Sequence, residues 1–278
     1  MGRDEERPGA DIAEEEMIRD MLRYIFYKFK YRDQKLSWKG HYIRITVNGV
    51  RFKFPTGIHN LEKKSMLYHL RHFEFPNVNL FAIDLPGYFK RYSPKEGDTV
   101  IDMGAYSGIF SIYCAMKMKN TGRIIAFEPN IDSIRLLEKA IELNGLTNIT
   151  IVEKGVWSEE SALRFSDKGV CSEIVPSGGD YTIPVIDLDT QLIDMGVDYK
   201  DISFIKADIE GAEVEALAGM RQALWQGSPD LAIASYHIRY GKKTCFYLED
   251  SLKKFGYNTV TGYPVHLTTY ARKPKETA

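Results

Sequence analysis

Thr99-Val-Ile-Asp-Met-Gly-Ala-Tyr-Ser-Gly108 is the stretch whose reading decides the fold. Val100, Ile101 and Met103 read as a short buried strand, and Gly104 to Gly108 as the turn that leaves it. Ile109-Phe-Ser-Ile-Tyr-Cys-Ala-Met-Lys117 then continues with apolar residues at helical spacing. Strand, glycine turn and helix make the front half of a βαβ nucleotide site. The helix N-terminus offers free N–H groups, and glycines let a ligand come close to the backbone. A dinucleotide fold needs G-x-G-x-x-G, whose second glycine admits a pyrophosphate. Tyr106 fills that slot, which argues against a nicotinamide dehydrogenase, and Asp102 stands two residues before Gly104.

The next landmark agrees. Arg123-Ile-Ile-Ala-Phe-Glu128-Pro129 reads as a second strand ending in an acid 24 residues past Gly104. A carboxylate at that point can accept both hydroxyls of a ribose. It can also cap the helix that begins near Asn130. Turn and acid together, in order and at this distance, point to a nucleotide-type cofactor.

The 278 residues suffice for one large domain plus an extension, and 44% apolar with 27% charged residues suits a soluble globular protein. A formal net charge of −1 argues against a nucleic-acid binder that uses its whole surface. Cys114, Cys171 and Cys245 lie far apart without a C-x-x-C pair, as expected of reduced thiols in a cytoplasmic protein, and neither a disulfide framework nor a zinc site. No run approaches 18 apolar residues, and the acidic start resembles no signal peptide. Residue 6 is Glu, not the Ser or Thr that N-myristoylation uses.

Residues 1–16 carry seven acids against Arg3 and Arg7 and are expected to form a mobile acidic tail. Residues 17–95 form an extension. Between Met17 and Arg44 stand eight basic and two acidic residues, with Ile18, Met21, Leu22, Ile25 and Phe29 on one helix face. Such a helix can lie on a membrane or grip nucleic acid. Docking on this chain's own core or on a second copy is favoured, since most amphipathic helices in enzymes are packed. His41 to Val47, Asn48-Gly49 and Val50 to Phe54 alternate about a type I′ turn, predicting a hairpin. A helical stretch follows around Leu61 to Arg71. His69 and His72 stand one turn apart there, with no acid or cysteine pattern to complete a metal site. Phe73 to Gly97 is irregular and aromatic, placed to cover a cofactor.

From residue 96 to 278 the elements alternate. Ser133 to Leu143 predicts a helix stopped by Asn144-Gly145, and Asn148 to Val152 a third strand. Residues 158–185 read as strands with a turn at Ser177-Gly-Gly179, and Asp187 to Gly196 as a short helix. Ser203 to Ala207 predicts a fourth strand, Val214 to Met220 a helix, and Leu231 to His237 a fifth strand. Glu249 to Phe255 predicts a helix, and Asn258 to Thr261 and His266 to Ala271 the last strands. The order implies an α/β fold with a mostly parallel, doubly wound sheet and an antiparallel closing strand.

Ile205-Lys-Ala-Asp-Ile-Glu-Gly-Ala-Glu213, taken with the D-x-G-x-x-x-G turn, Phe127-Glu128-Pro129 and Val185-Ile-Asp-Leu-Asp189, resembles the FkbM-type family of class I S-adenosylmethionine-dependent methyltransferases. The resemblance covers roughly residues 97–240 and, more weakly, the tail; residues 1–75 match no family. It implies a Rossmann-like fold and O-methylation of a small molecule or glycan. It further implies S-adenosylmethionine held by Asp102, Gly104, Ala105, Tyr106, Ser107, Gly108, Glu128 and Pro129, with Gly155 and Val156 bordering the adenine and Asp208 at the sulfonium end.

Methyl transfer is an in-line displacement, and a weakly acidic hydroxyl benefits from a general base or a metal. Asp208, Glu210 and His237 lie at strand ends on the carboxyl edge, where ligands of open α/β folds bind. They are the candidate catalytic residues, with His237 or Glu210 taking the proton. The bland alternative is that Glu210 and Glu213 only place negative charge at a helix N-terminus. The same trio can seat a divalent metal, which the sequence does not favour. A nucleic-acid methyltransferase is the runner-up, but Asp208-Ile-Glu-Gly lacks the prolines of flipped-base amino methylases and no cysteine is placed for cytosine C5 chemistry. A non-catalytic cofactor-binding protein is the third reading, disfavoured because a mere binder has no use for acids near a sulfonium.

Overall fold

The computed structural model describes residues 37–38, 42–47, 49–55, 84–166, 173–174, 178–179 and 181–274. The expected acidic tail, the basic amphipathic helix, the stretch around Leu61 to Arg71 with His69 and His72, Cys171 and Ser177 lie outside them. The chain divides into two compact units, 1–82 and 83–278. That boundary falls 13 residues before the one read from the sequence, because the segment from Leu85 to Tyr92 packs on the second unit. No helix of the described residues is long and apolar enough to cross a membrane.

In the first unit, β1 (Ser37–Trp38), β2 (Tyr42–Val47) and β3 (Val50–Pro55) form a three-stranded antiparallel sheet. Val47 faces Val50 across the predicted turn, where Gly49 takes φ +79°.

The second unit begins with α1 (Leu85–Tyr88), followed by β4 (Thr99–Met103), α2 (Ile109–Lys117), β5 (Arg123–Phe127), α3 (Ile131–Asn144) and β6 (Ile149–Val152). Each βα unit has its signal in the sequence. Asn130 caps α3 by accepting from Asp132 and Ser133 N–H, and Gly145 ends it in the left-handed region at φ +62°. Residues 155–186 form a side sheet of β7 (Gly155–Val156), β8 (Ser161–Ser166), β9 (Glu173–Ile174) and β10 (Tyr181–Ile186), in the order β7-β10-β8-β9. Then come α4 (Leu188–Asp194), β11 (Ile202–Ala207), α5 (Glu213–Ala218) and β12 (Asp230–Ala234). The chain closes with β13 (Ile238–Arg239), β14 (Lys242–Lys243), α6 (Thr244–Lys254), β15 (Asn258–Gly262) and β16 (Thr268–Arg272).

The main sheet has seven strands in the order β15-β16-β12-β11-β4-β5-β6. Only β16 runs antiparallel to its neighbours. This is the Rossmann-like α/β architecture expected from the alternation. The central strands are buried on both faces, as parallel strands covered by helices must be. One face, bearing Ile101, Met103, Ile205 and Ile233, packs with Leu192, Leu217, Leu248 and Leu252 of α4, α5 and α6. Across the other face Phe89 stacks on Phe110 and Tyr92 on Phe204. The aromatic run before the first core strand is therefore core packing along this part of its length.

Four differences from the sequence reading matter for the site. The fifth strand ends at Ala234, so Tyr236 and His237 lie in the loop beyond it. The β13–β14 hairpin was not anticipated. It turns at Tyr240 (φ +48°) and Gly241 (φ +77°), the left-handed pair that a two-residue turn needs. The following helix starts at Thr244, five residues before the expected Glu249, because Thr244 N–H donates to His237 O and fixes the reversal. Finally, β16 begins at Thr268, leaving His266 in a short 3₁₀ turn.

Candidate active site

The glycine turn is held from both sides. Gly104 and Ala105 N–H both donate to Phe127 O, at 3.0 and 2.9 Å, and Tyr106 N–H donates to Glu128 Oε2 at 2.7 Å. Gly104 is required by the protein itself. At φ +77°, a Cβ there would lie 2.0 Å from the Asp208 carbonyl oxygen. The carboxyl ends of β4 and β11 thus meet at Gly104 and Asp208.

Beneath the turn, Asp102 is 0% exposed. Its Oδ1 accepts from Lys206 Nζ at 2.9 Å and its Oδ2 from Ser111 at 2.6 Å. Lys206 also donates to Gly104 O at 2.6 Å. Asp102, expected from the resemblance to hold the cofactor, anchors the turn from the core side. Lys206 stood in the recognised stretch without a role, and only the strand register pairs it with Asp102. Gly155 and Val156, expected to border the adenine, are buried strand residues, with Val156 in the main core cluster.

Glu128 is buried at the end of β5, with Oε1 accepting from Asn130 N–H at 2.8 Å and Oε2 from Tyr106. Burial, opposed by these two backbone bonds, pushes its carboxyl up to about 7. Pro129 directs the chain into the α3 cap. The Ser107 hydroxyl is buried and has no hydrogen-bond partner. An unsatisfied hydroxyl in the turn and a two-oxygen acceptor beside it fit the polar groups of a nucleoside.

At the edge of the sheet Asp208 lies between two histidines. Its Oδ2 accepts from Tyr88 at 2.6 Å and its Oδ1 from Tyr236 at 3.3 Å. His266 Nε2 is 3.5 Å from Oδ2, and His237 Nε2 is 3.8 Å from Oδ1. Burial alone would raise this carboxyl, but the His266 contact, then Lys206 and His237, hold it well below the usual carboxylate range. Tyr88 and Tyr236 are raised, chiefly by burial, and so remain donors. His266 also faces Asp84 at 3.8 Å, and burial raises the Asp84 carboxyl to about 6.

His237 stands among carboxylates. Nε2 lies 3.3 Å from Glu210 Oε2, and Nδ1 lies 3.0 Å from Glu213 Oε1. Burial disfavours its charge, but Glu210 and Glu213 outweigh burial and push the ring up to about 11. These carboxylates favour a protonated ring, which weighs against His237 as the group that takes a proton from a substrate. Glu210 adopts φ +55°, a left-handed conformation uncommon outside glycine, and its carboxyl is raised, chiefly by burial. Glu213 accepts from Ile209 and Gly211 N–H at 3.1 and 3.3 Å, the capping role foreseen as the bland alternative. Tyr88, Asp84, Tyr236 and His266 were missed because they come from distant segments with no motif spacing.

A Rossmann-like sheet with a glycine turn, a strand-end carboxylate and an acid–histidine cluster at its carboxyl edge defines a class of α/β nucleotide-cofactor proteins. Residues 102–259 match the model of the methyltransferase FkbM domain, and the chain belongs to that family. It is similar to the hexuronic acid methyltransferase AglP of Haloferax volcanii, with 30% identity over 134 residues, 47% of this chain and 53% of that one. A tRNA (cytosine(72)-C(5))-methyltransferase of Pyrococcus horikoshii matches at 35% over 60 residues, 22% of this chain and 15% of that one. The solved structure of a methyltransferase FkbM from Methylobacillus flagellatus shares the fold, with TM-score 0.52 and 22% identity, covering 73% of this chain and 52% of that chain. The chain thus spans about half the length of the first relative and of that structure.

Proposed function

We propose that this chain transfers a methyl group from S-adenosylmethionine to a hydroxyl of a sugar or another small molecule. The observation that carries the reading is the meeting of Asp208, Glu210 and His237, from two strand ends, beside the Gly104–Gly108 turn. Membership of the FkbM family supports methyl transfer, and the half-length similarity to a hexuronic acid methyltransferase supports a sugar acceptor.

Gly104 to Gly108, with the Ser107 hydroxyl, and the Glu128 carboxylate are the groups that would hold the cofactor. When bound, S-adenosylmethionine supplies an electrophilic methyl group on a sulfonium. Asp208, kept ionised and fixed by Tyr88, places negative charge where a cationic donor must sit. Glu210, with its raised carboxyl and partly open side chain, accepts the proton that the acceptor hydroxyl loses. His237 holds its proton and positions Glu210. Tyr236, 36% exposed and bonded to Asp208 Oδ1, borders the cluster on its solvent side.

Calorimetric titration of S-adenosylhomocysteine into wild type and Glu128→Ala tests the cofactor. Binding by wild type, much weakened in the variant, supports the reading, and no binding by wild type overturns it. Transfer of radiolabelled methyl groups to a panel of uronic acids and neutral sugars then tests the acceptor.

A further inference from the structure

We propose that Asp208, Glu210 and His237 form a binding site for a divalent cation. One donor atom from each lies within 4.8 Å of the other two. His237 Nε2 is 3.3 Å from Glu210 Oε2 and 3.8 Å from Asp208 Oδ1. Ligand bonds of about 2.1 Å put neighbouring donors ~3.0 Å apart around an octahedral cation and ~3.4 Å around a tetrahedral one. The His237–Glu210 pair stands at that separation already, and the Asp208 oxygen needs to close by less than about 1 Å on His237.

The His237 ring is an independent observation. Its side chain is 10% exposed, yet neither ring nitrogen makes an aligned hydrogen bond to any protein group. Nε2 faces Glu210 and Asp208, whereas Nδ1 faces Glu213, 3.0 Å away. A cation on Nε2 would displace the proton that the ring carries there without metal, releasing it to solvent, and leave Nδ1–H to Glu213. That is the carboxylate–histidine–metal arrangement, in which the outer carboxylate sets the ring's tautomer and orientation. Glu213 is prepared for it, being held by Ile209 and Gly211 N–H and buried with Oε2 unpartnered.

Tyr88 holds Asp208 Oδ2 at 2.6 Å, whereas Oδ1, the oxygen turned toward His237, takes only the longer 3.3 Å bond from Tyr236, which a cation would share or displace. Two carboxylate oxygens and one imidazole nitrogen make a mixed hard-to-borderline set, which suits Mn²⁺ better than a soft-ligand metal. Three protein ligands leave coordination positions for water or for oxygen atoms of the acceptor. What the cation does there rests on the methyl-transfer reading: it would orient and acidify the acceptor hydroxyl, while Glu210 coordinates through Oε2 and keeps Oε1 for the proton. That the cation binds does not rest on that reading.

The test is a Mn²⁺ titration of the chelator-treated full chain, read by loss of the free-ion electron paramagnetic resonance signal. Wild type, Glu210→Gln and His237→Gln are compared, with thermal melts to verify folding. One Mn²⁺ per chain, with affinity roughly tenfold or more lower in either variant, is the expected result. No saturable binding by wild type, or binding unchanged in folded variants, overturns the proposal. Glu210 is partly exposed, so its variant decides the matter if His237→Gln does not fold. S-adenosylhomocysteine is titrated into the same samples. Mn²⁺ binding without it keeps the cation site and removes its role in methyl transfer. S-adenosylhomocysteine binding without Mn²⁺ removes the site and leaves the methyl-transfer reading intact.

Discussion

Lys206 Nζ donates to Asp102 Oδ1 at 2.9 Å, and the two residues stand opposite each other in register on neighbouring parallel strands. Both side chains are almost fully buried. The same ammonium reaches the Gly104 carbonyl, so a charge in the core ties two strands to the turn above them. An ion pair at this depth adds little net stability, because desolvation offsets the attraction. Its effect is on geometry, and it becomes visible when one partner is removed.

Lys206→Met should therefore destabilise the fold by about 3–5 kcal/mol, since Asp102 is left charged and buried. Adding Asp102→Asn should recover a large part of that loss. Urea unfolding of wild type, both single variants and the double variant measures it. Additive single effects would exclude the coupling.

Gly104→Ala and Gly145→Ala separate two kinds of glycine. Both residues have positive φ, but nothing lies within 4 Å of a Cβ at Gly145, whereas one at Gly104 meets the Asp208 carbonyl at 2.0 Å. Gly145→Ala should cost about 1–2 kcal/mol, the left-handed penalty alone. Gly104→Ala must displace backbone at the candidate site and should lose soluble expression or S-adenosylhomocysteine binding. Equal stabilities would contradict the packing described.

Glu128 gives a pH signature. Its folded carboxyl is pushed up to about 7 from an ordinary 4.5. The folded state keeps this proton to higher pH than the unfolded chain does. Its contribution is thus fully present below pH 4.5 and is lost as pH rises to 7, by about 3 kcal/mol in all. Denaturation midpoints of wild type and Glu128→Gln should lie close together at the acid end of that window and diverge as pH rises, wild type falling while the variant stays level. Ribose hydroxyls favour the carboxylate form, so S-adenosylhomocysteine affinity should strengthen through pH 7 in wild type and stay flat in the variant.

His237 should be an imidazolium in the metal-free protein at pH 8. Its ring is pushed up from 6.5 to about 11, so its stabilising effect is present below pH 6.5 and fades as pH rises toward 11. Heteronuclear NMR of the imidazole nitrogens reads the state directly. A neutral ring at pH 8 would restore His237 as a candidate base.

Asp208→Asn should leave S-adenosylhomocysteine affinity within a few-fold while lowering turnover at least 100-fold, on the scale of a lost electrostatic or acid–base group. Tyr88→Phe, which removes the donor to Asp208 Oδ2, should lower turnover less and shift the pH profile. Steady-state kinetics across pH distinguishes positioning by Tyr88 from a structural effect, which would leave the profile unmoved.

The sequence alone determined the alternation of the main-sheet strands and helices, the strand character of 158–185, and the positions of Gly104, Glu128, Asp208 and Glu210 at turns and strand ends. Those features rest on local rules: burial on both faces in parallel strands, caps at Asn130 and Gly145, and glycines at positive φ. The β13–β14 hairpin escaped because its turn, Tyr240-Gly241, puts a bulky residue at φ +48°. What only the tertiary structure decided is who meets whom. Strand register sets Lys206 against Asp102 and makes that acid a core anchor of the turn. Two chain reversals carry His237 and His266 to opposite sides of Asp208, and α1 brings Tyr88 to the same carboxylate. Charge states follow from those meetings. A histidine's proton depends on how many carboxylates lie within a few ångströms, and that number has no trace in linear spacing.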